Sequence, residues 1–351
     1  MTASPTIPRP IAVAVWLFAI AALIFAMVVI GGITRLTESG LSIVDWRPVT
    51  GILPPLSEAA WQEELAKYRS SPQYQLVNRG MSLAEFKAIF WWEWIHRFWG
   101  RMIGLAFALP FAWFLWRRAV PRAIVPHLWV ALGLGALQGL VGWLMVASGL
   151  VDRPSVSQYR LVAHLGLALA IYAYLLWIAL ELWRGGAPTA PGTPGRLAGP
   201  ALFLLLAITM LSGGFVAGLD AGTIYNTFPT MEGDWVPPVW GQMSPWWINP
   251  FENAAAAQFD HRVLALATVL ATIAAAMALR RAAVPVRTLV IVAAAAAVGQ
   301  AGLGVATLLL HVPVGLGALH QAGAVVLLTV LVALAHAARR RPVAAAAIAI
   351  P

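Results

Sequence analysis

Residues 91–101 read WWEWIHRFWGR, and they run straight into an apolar stretch that ends near residue 116. His96 sits at the start of that stretch. An imidazole inside a membrane-spanning segment is expensive, and such residues mark functional sites by default. Three further histidines stand in the same relation to an apolar run: His164, His261 and His320. Each falls in the first turns of its run, at the same end. Four imidazoles at one depth on alternate segments define the fold to be expected: a helical membrane scaffold built to present them.

The 351 residues are 60% hydrophobic and only 11% charged, far from a soluble average and close to that of a polytopic membrane protein. Eight runs reach the length needed to cross a bilayer, at about 11–33, 94–116, 126–148, 160–183, 199–219, 258–280, 284–309 and 315–338. No polar face interrupts them, which argues against a soluble alanine-rich bundle. Glycines in the third and seventh runs (Gly133, Gly135, Gly139, Gly142; Gly299, Gly302, Gly304) suit close helix approach. The ten residues before the first run are too few for a transit peptide and show no cleavage site.

The net charge of +9 reports orientation rather than a nucleic-acid partner. Arg9, Arg117, Arg118, Arg122, Arg184, Arg196, Arg280, Arg281, Arg287 and Arg339–Arg341 all fall on one side of an eight-span arrangement. That side is expected to be cytoplasmic, with both termini inside. Two long loops, about 34–92 and 220–257, then face outward. The first holds Trp46, Trp61 and Trp91 and two stretches that read as short amphipathic helices, with Ser57 and Ser82 as N-caps. The second holds Trp235, Trp240, Trp246 and Trp247. An interfacial tryptophan belt accounts for such residues, and lids over an outward-facing cavity are the alternative.

The two halves repeat. IGGITRLTESGLSIVDWRP from Ile30 parallels LSGGFVAGLDAGTIYNTFPTMEGDWVP from Leu211. WIHRFWGRMIGL parallels FDHRVLALATVL, Gln138 falls against Gln300, and LVAHLGLALAIY parallels GALHQAGAVVLL. Four spans per half place both copies in the same orientation, a parallel repeat. The expected fold is an all-α integral membrane protein of eight transmembrane helices, arranged as two four-helix bundles over 1–198 and 199–351.

With no cysteine, disulfides, thiolate catalysis and iron–sulfur clusters are excluded. Two histidines on different helices at one depth can hold a haem iron from opposite faces. Two halves give two haem-sized sites, whereas zinc would need three or four ligands together. His127, His311 and His336 have no repeat partner and read as structural or solvated. Arg97 and Arg262 directly follow His96 and His261 and are candidates to pair with haem propionates. Structural pairing at a helix end is the competing role. Glu93 lies three residues before His96, on one helix face, where the second half has Gln258. A carboxylate beside one pair only points to unequal sites, with the first half reactive.

At these residues the chain resembles the heme A synthase family in its mitochondrial and alphaproteobacterial form. The resemblance covers nearly the whole chain and is carried by GGITRLTESGLSIVDWRPVTGILPPL (31–56), YQLVNRGMSLAEFKAIFWWEWIHRFWGR (74–101) and NTFPTMEGDWVPP (226–238). It implies oxidation of heme O to heme A at the C8 methyl, by successive hydroxylation and loss of water. It implies haem b on His261 and His320, substrate heme on His96 and His164, and a catalytic Glu93. Relatives elsewhere carry a loop cysteine pair that this chain lacks. Implied partners are heme O synthase, an electron acceptor and membrane lipid, with a homo-oligomer permitted. The implied location is the bacterial inner membrane, with the heme sites near the outer face and the product serving cytochrome c oxidase. Two other readings of the residues stand beside this one: a di-haem b electron carrier and a haem transporter on the same repeat.

Overall fold

The structure is a computed structural model that describes residues 10–45, 50–151, 154–184, 187–188 and 195–341. Trp46 and Arg9 lie outside the described residues, as do the side chains of Arg340 and Arg341. In chain order the helices are α1 (Ile11–Leu36), α2 (Glu58–Arg69), α3 (Pro72–Leu76), α4 (Leu83–Trp116), α5 (Val125–Ser148) and α6 (Gln158–Arg184). They continue as α7 (Ala198–Gly218), α8 (Asn249–Glu252), α9 (Ala254–Ala278), α10 (Val284–Leu309) and α11 (Val314–Arg339). Eight of these are long and apolar enough to cross a membrane: α1, α4, α5, α6, α7, α9, α10 and α11. The fold is an all-helical multi-pass membrane protein, as the hydropathy pattern predicts. β pairing among the described residues is slight: a two-residue antiparallel contact, Ala187 with Arg341 and Pro188 with Arg340, and a single bridge between Met231 and Asp234.

Helix starts follow local chemistry. The Ser57 side chain accepts from the Ala60 N–H and caps α2. Ser82 accepts from the Glu85 N–H while Glu85 takes the Ser82 N–H, a capping box that opens α4. Asn253 accepts from the N–H groups of Ala255 and Ala256 and opens α9. The second amphipathic stretch is therefore not a separate helix. No breaker stands between Leu83 and the apolar run, so the two merge into one helix of 34 residues. α4 projects beyond the level of its histidine and carries part of the first loop with it.

The deepest packing lies where the halves meet. α1, α6, α7 and α11 form a central layer, with α4 and α5 flanking one side and α9 and α10 the other. Leu17, Ile20, Leu175, Leu206, Leu327, Leu328 and Leu331 fill this layer. Gly199 lets α7 approach α11 so closely that a Cβ there would stand 2.6 Å from the Ala335 Cα. Polar bonds tie the halves across the layer. Gln321 donates to the Val28 carbonyl at 2.9 Å. Tyr172 and Thr329 hydroxyls meet at 2.7 Å, and Thr329 passes its own proton to the Val325 carbonyl. Arg35 reaches from α1 to Asp220 at 2.6 Å and to the Ala217 carbonyl at 2.7 Å. Buried His336 pairs with Glu181 at 3.2 Å; within the first half, His127 meets the Tyr174 hydroxyl at 2.8 Å. Each such bond between membrane helices is worth about 0.6–2 kcal/mol.

The glycine-rich third and seventh spans do not serve as expected. A Cβ at Gly133, Gly135, Gly139, Gly299 or Gly302 would meet nothing within 4 Å, so these positions do not seat a neighbouring helix. Only Gly142 and Gly304 are in close contact, and what they touch are histidines.

Candidate functional site

The two long loops lie at one end of the bundle, the end that carries the four histidines. Each histidine rests on a glycine of the preceding span. A Cβ at Gly31 would come 3.1 Å from His96 Cε1, and one at Gly142 would come 2.8 Å from His164 Cε1. In the second half the corresponding distances are 2.9 Å for Gly213 to His261 and 2.8 Å for Gly304 to His320. At Gly142, Gly213 and Gly304 a Cβ would force the imidazole to shift, and at Gly31 the fit would be tight. These contacts pair α1 with α4, α5 with α6, α7 with α9, and α10 with α11, the same order in both halves.

Three of the four rings meet a polar neighbour at Nδ1. His261 Nδ1 lies 2.9 Å from the Ser212 hydroxyl and 3.1 Å from the Thr209 carbonyl. His96 Nδ1 lies 3.5 Å from the Thr34 hydroxyl. Gln300 Nε2 approaches His320 Nδ1 at 3.0 Å and donates to the His320 carbonyl at 2.7 Å. Gln138 repeats the carbonyl bond to His164 at 3.0 Å, but there it faces Nε2 at 3.5 Å and Nδ1 has no partner. Both glutamines keep a buried amide oxygen without a partner.

His261 and His320 face each other with ring centroids 6.5 Å apart and planes at 86°. Two metal–nitrogen bonds of about 2 Å each, together with two ring radii, fill such a gap. The donor set therefore fits a haem iron between these imidazoles. Among the described residues no cluster of three or more His, Asp or Glu side chains is placed to hold an isolated metal ion.

Glu93 is tied by hydrogen bonds to the first loop and to Arg97. Its side chain is almost wholly buried, and three donors converge on it. Oε2 accepts from the Ser42 hydroxyl at 2.7 Å and from the Ile43 N–H at 2.7 Å, and Oε1 accepts from Arg97 at 2.7 Å. Arg97 in turn donates to the carbonyls of Ile43 at 2.9 Å and Asp45 at 3.3 Å. The second half copies the arginine. Arg262 donates to the carbonyls of Tyr225 at 2.9 Å and Thr227 at 3.0 Å, and Gln258 donates to the Tyr225 carbonyl at 3.2 Å. Both arginines thus clamp the segment that leaves the first span of their half. Arg262 Nε is buried without a partner and remains able to meet an anionic group. Arg97 and Arg101 also line a cavity of about 220 Å³ beneath the first loop, together with Asp45, Glu63, Glu64 and Trp94.

The first loop has a core of its own over this end. Trp61, Leu65 and Tyr68 pack against Phe86 and Phe90 of the α4 extension. Burial raises the Tyr68 phenol above its usual range. Trp61 belongs to that core rather than to an interfacial belt, whereas Trp235, Trp246 and Trp247 are exposed. Sequence reasoning found the histidines, the arginines and Glu93. It missed Ser42 and the seating glycines, although the repeated GG pair was in view and the chemistry at position 42 differs from its counterpart, Ile224.

The sequence pattern of one family, described as cytochrome oxidase assembly protein, matches residues 14–332. The chain belongs to this family. Among its relatives, a heme A synthase of Nitrosospira multiformis is 50% identical over 336 residues, covering 94% of each chain. One of Parvibaculum lavamentivorans is 52% identical over 321 residues, 92% of each chain. Another, of Rhodospirillum centenum, is 51% identical over 334 residues, 94% of this chain and 89% of its own. Family membership covers both halves of the repeat and both histidine pairs.

Proposed function

We propose that this protein is a membrane oxidoreductase that converts heme O to heme A for cytochrome oxidase assembly. The observation that carries the reading is the unequal pair of sites: equivalent glycine-seated histidines in both halves, and a buried carboxylate beside the first pair only. The kinship with heme A synthases at about half identity supports the same activity.

In this reading the N-terminal half, 1–198, holds the substrate heme between His96 and His164. The C-terminal half, 199–351, holds haem b between His261 and His320, with Arg262 available to a propionate. Haem b supplies a redox centre beside the reactive half. Converting a methyl to a formyl group with water as oxygen donor removes four electrons and four protons from methyl plus water. Substrate heme ligated by two histidines leaves no iron position for dioxygen, which favours water as the donor. In this reading Glu93, one helical turn before His96 on α4, is the carboxylate that accepts protons or stabilises positive charge. The cavity under the first loop, with Arg97 and Arg101 in its wall, offers water and protons a way to the solvent. Basic helix ends opposite the loops support a cytoplasmic location for both termini and an outer position for the heme sites in the bacterial inner membrane. Heme O synthase and an electron acceptor are the partners this chemistry requires. The open glycine faces of α5 and α10 leave room for a second copy.

The test is extraction and chromatography of the hemes bound to the purified protein after co-expression with heme O synthase. Haem B together with heme A or a hydroxylated heme O is the expected result. Haem B alone at two per chain would support an electron carrier instead. Glu93→Gln is expected to retain haem b and to stall heme A formation, and His261→Ala or His320→Ala to empty the haem b site.

A further inference from the structure

The two loop clamps are alike except at the carboxylate. Arg97 takes the carbonyls of residues 43 and 45, and Arg262 takes those of residues 225 and 227. These pairs of positions correspond in the repeat, as do Glu93 with Gln258 and Ser42 with Ile224. The first half therefore differs in two linked respects. It has a carboxylate where the second has an amide, and a hydroxyl where the second has an aliphatic side chain.

Ser42 is 1% exposed. Its hydroxyl has a single proton and two acceptors in reach, Glu93 Oε2 at 2.7 Å and the Ile89 carbonyl at 3.4 Å. The short distance marks the carboxylate as the acceptor that takes it. With the Ile43 N–H on the same oxygen and Arg97 on the other, both oxygens of Glu93 are fixed. An amide, which carries donors on one side, cannot satisfy three donors. An aliphatic residue at position 42 cannot supply one. The serine thus belongs with the carboxylate.

We propose that Ser42 is the positioning residue for Glu93, holding Oε2 on the loop side so that the carboxylate keeps one orientation toward the substrate heme. This rests on the reading that Glu93 acts at the reactive site. The loop segment 42–45 and the α4 pair Glu93–Arg97 then form one unit, in which seating the loop and orienting the carboxylate are the same event. The second half has no such carboxylate: Gln258 donates to the Tyr225 carbonyl and takes a longer bond of 3.4 Å from Arg262.

The experiment compares Ser42→Ala, Ser42→Thr, Glu93→Gln and Ser39→Ala in the full-length protein co-expressed with heme O synthase. Ser39 is equally buried in the same turn and bonds to the Thr34 carbonyl and the Thr37 hydroxyl, not to Glu93. The readouts are the ratio of heme A to hydroxylated heme O, the haem b spectrum, and deuterium uptake of residues 39–45. Loss of one bond to a charged group costs about ten-fold or more. Ser42→Ala is expected to lower heme A about ten-fold with hydroxylated heme O accumulating, an unchanged haem b band and raised uptake at 42–45. Ser42→Thr, which keeps the hydroxyl, is expected to recover most of the output, and Ser39→Ala to resemble the parent. Normal heme A from Ser42→Ala beside a stalled Glu93→Gln would overturn this inference alone. Equal losses in Ser42→Ala and Ser39→Ala, with haem b falling in step, would overturn it as mere packing. Normal output from Glu93→Gln would overturn the reading beneath it, and this inference with it.

Discussion

At Gly304 a single added methyl group would stand 2.8 Å from His320 Cε1. Gln300 meets the adjoining Nδ1 at 3.0 Å, so a shift of the ring would also disturb that contact. Gly304→Ala is therefore expected to push His320 off the axis it shares with His261 and to remove the haem b band from the purified protein. Gly142→Ala makes the same change beside His164 and is expected to leave that band intact while heme A formation falls. The contrast between the two spectra separates the sites. Gln300 acts one step further out. Outer partners of metal-binding histidines typically contribute 10–100-fold in affinity. Gln300→Leu is accordingly expected to weaken haem b retention by about 10–100-fold, read as haem lost on dilution into detergent. Unchanged retention would show that the amide does not set the ring.

Among the elements, α4 does two jobs. Its C-terminal part spans the membrane, and its N-terminal part supplies Phe86 and Phe90 to the core of the first loop. That core closes on Trp61, which meets Phe90 edge-on at 4.9 Å. Lys87 lies 5.2 Å from the same ring and also pairs with Glu58. Large aromatic-to-alanine changes in a core cost about 3–5 kcal/mol. Trp61→Ala is expected to open residues 50–82 to protease while the transmembrane part of α4 stays protected, and to lower heme A output more than haem b content. Protease resistance equal to that of the parent would mean that the loop is held by its clamps alone. Ile43, whose N–H and carbonyl are held by Glu93 and Arg97, also packs against this core, so the losses from clamp and core are expected to couple rather than add.

For the molecule as a whole, the central layer of α1, α6, α7 and α11 sets the spacing of the two sites. Lipid tails are as apolar as leucine, so close packing and polar bonds hold these helices together. Gly199 stands against Ala335 backbone atoms that cannot give way. Gly199→Leu is expected to cost about 1–3 kcal/mol by overpacking and to lower the thermal midpoint in detergent for both halves together. A loss confined to one half would show that the layer is not a single cooperative unit.

Hydropathy and spacing alone specified eight spans, the parallel repeat and the four level histidines. These features follow from composition and period, which a bilayer reads directly: length must match thickness, and a polar group at depth must have a purpose. The asymmetry of Glu93 against Gln258 was legible for the same reason, since the repeat aligns them. Three matters were decided by tertiary structure. The glycines of α5 and α10 looked alike in sequence, yet only Gly142 and Gly304 meet a histidine, because helix rotation chooses one face. Both arginines clamp the loop of their half, because backbone carbonyls of a returning loop came within reach. Glu93 shares a helix face with His96 by spacing, but its oxygens went to Ser42, Ile43 and Arg97. A carboxylate is satisfied by the donors that surround it, and which donors those are depends on a loop some 50 residues away in the chain.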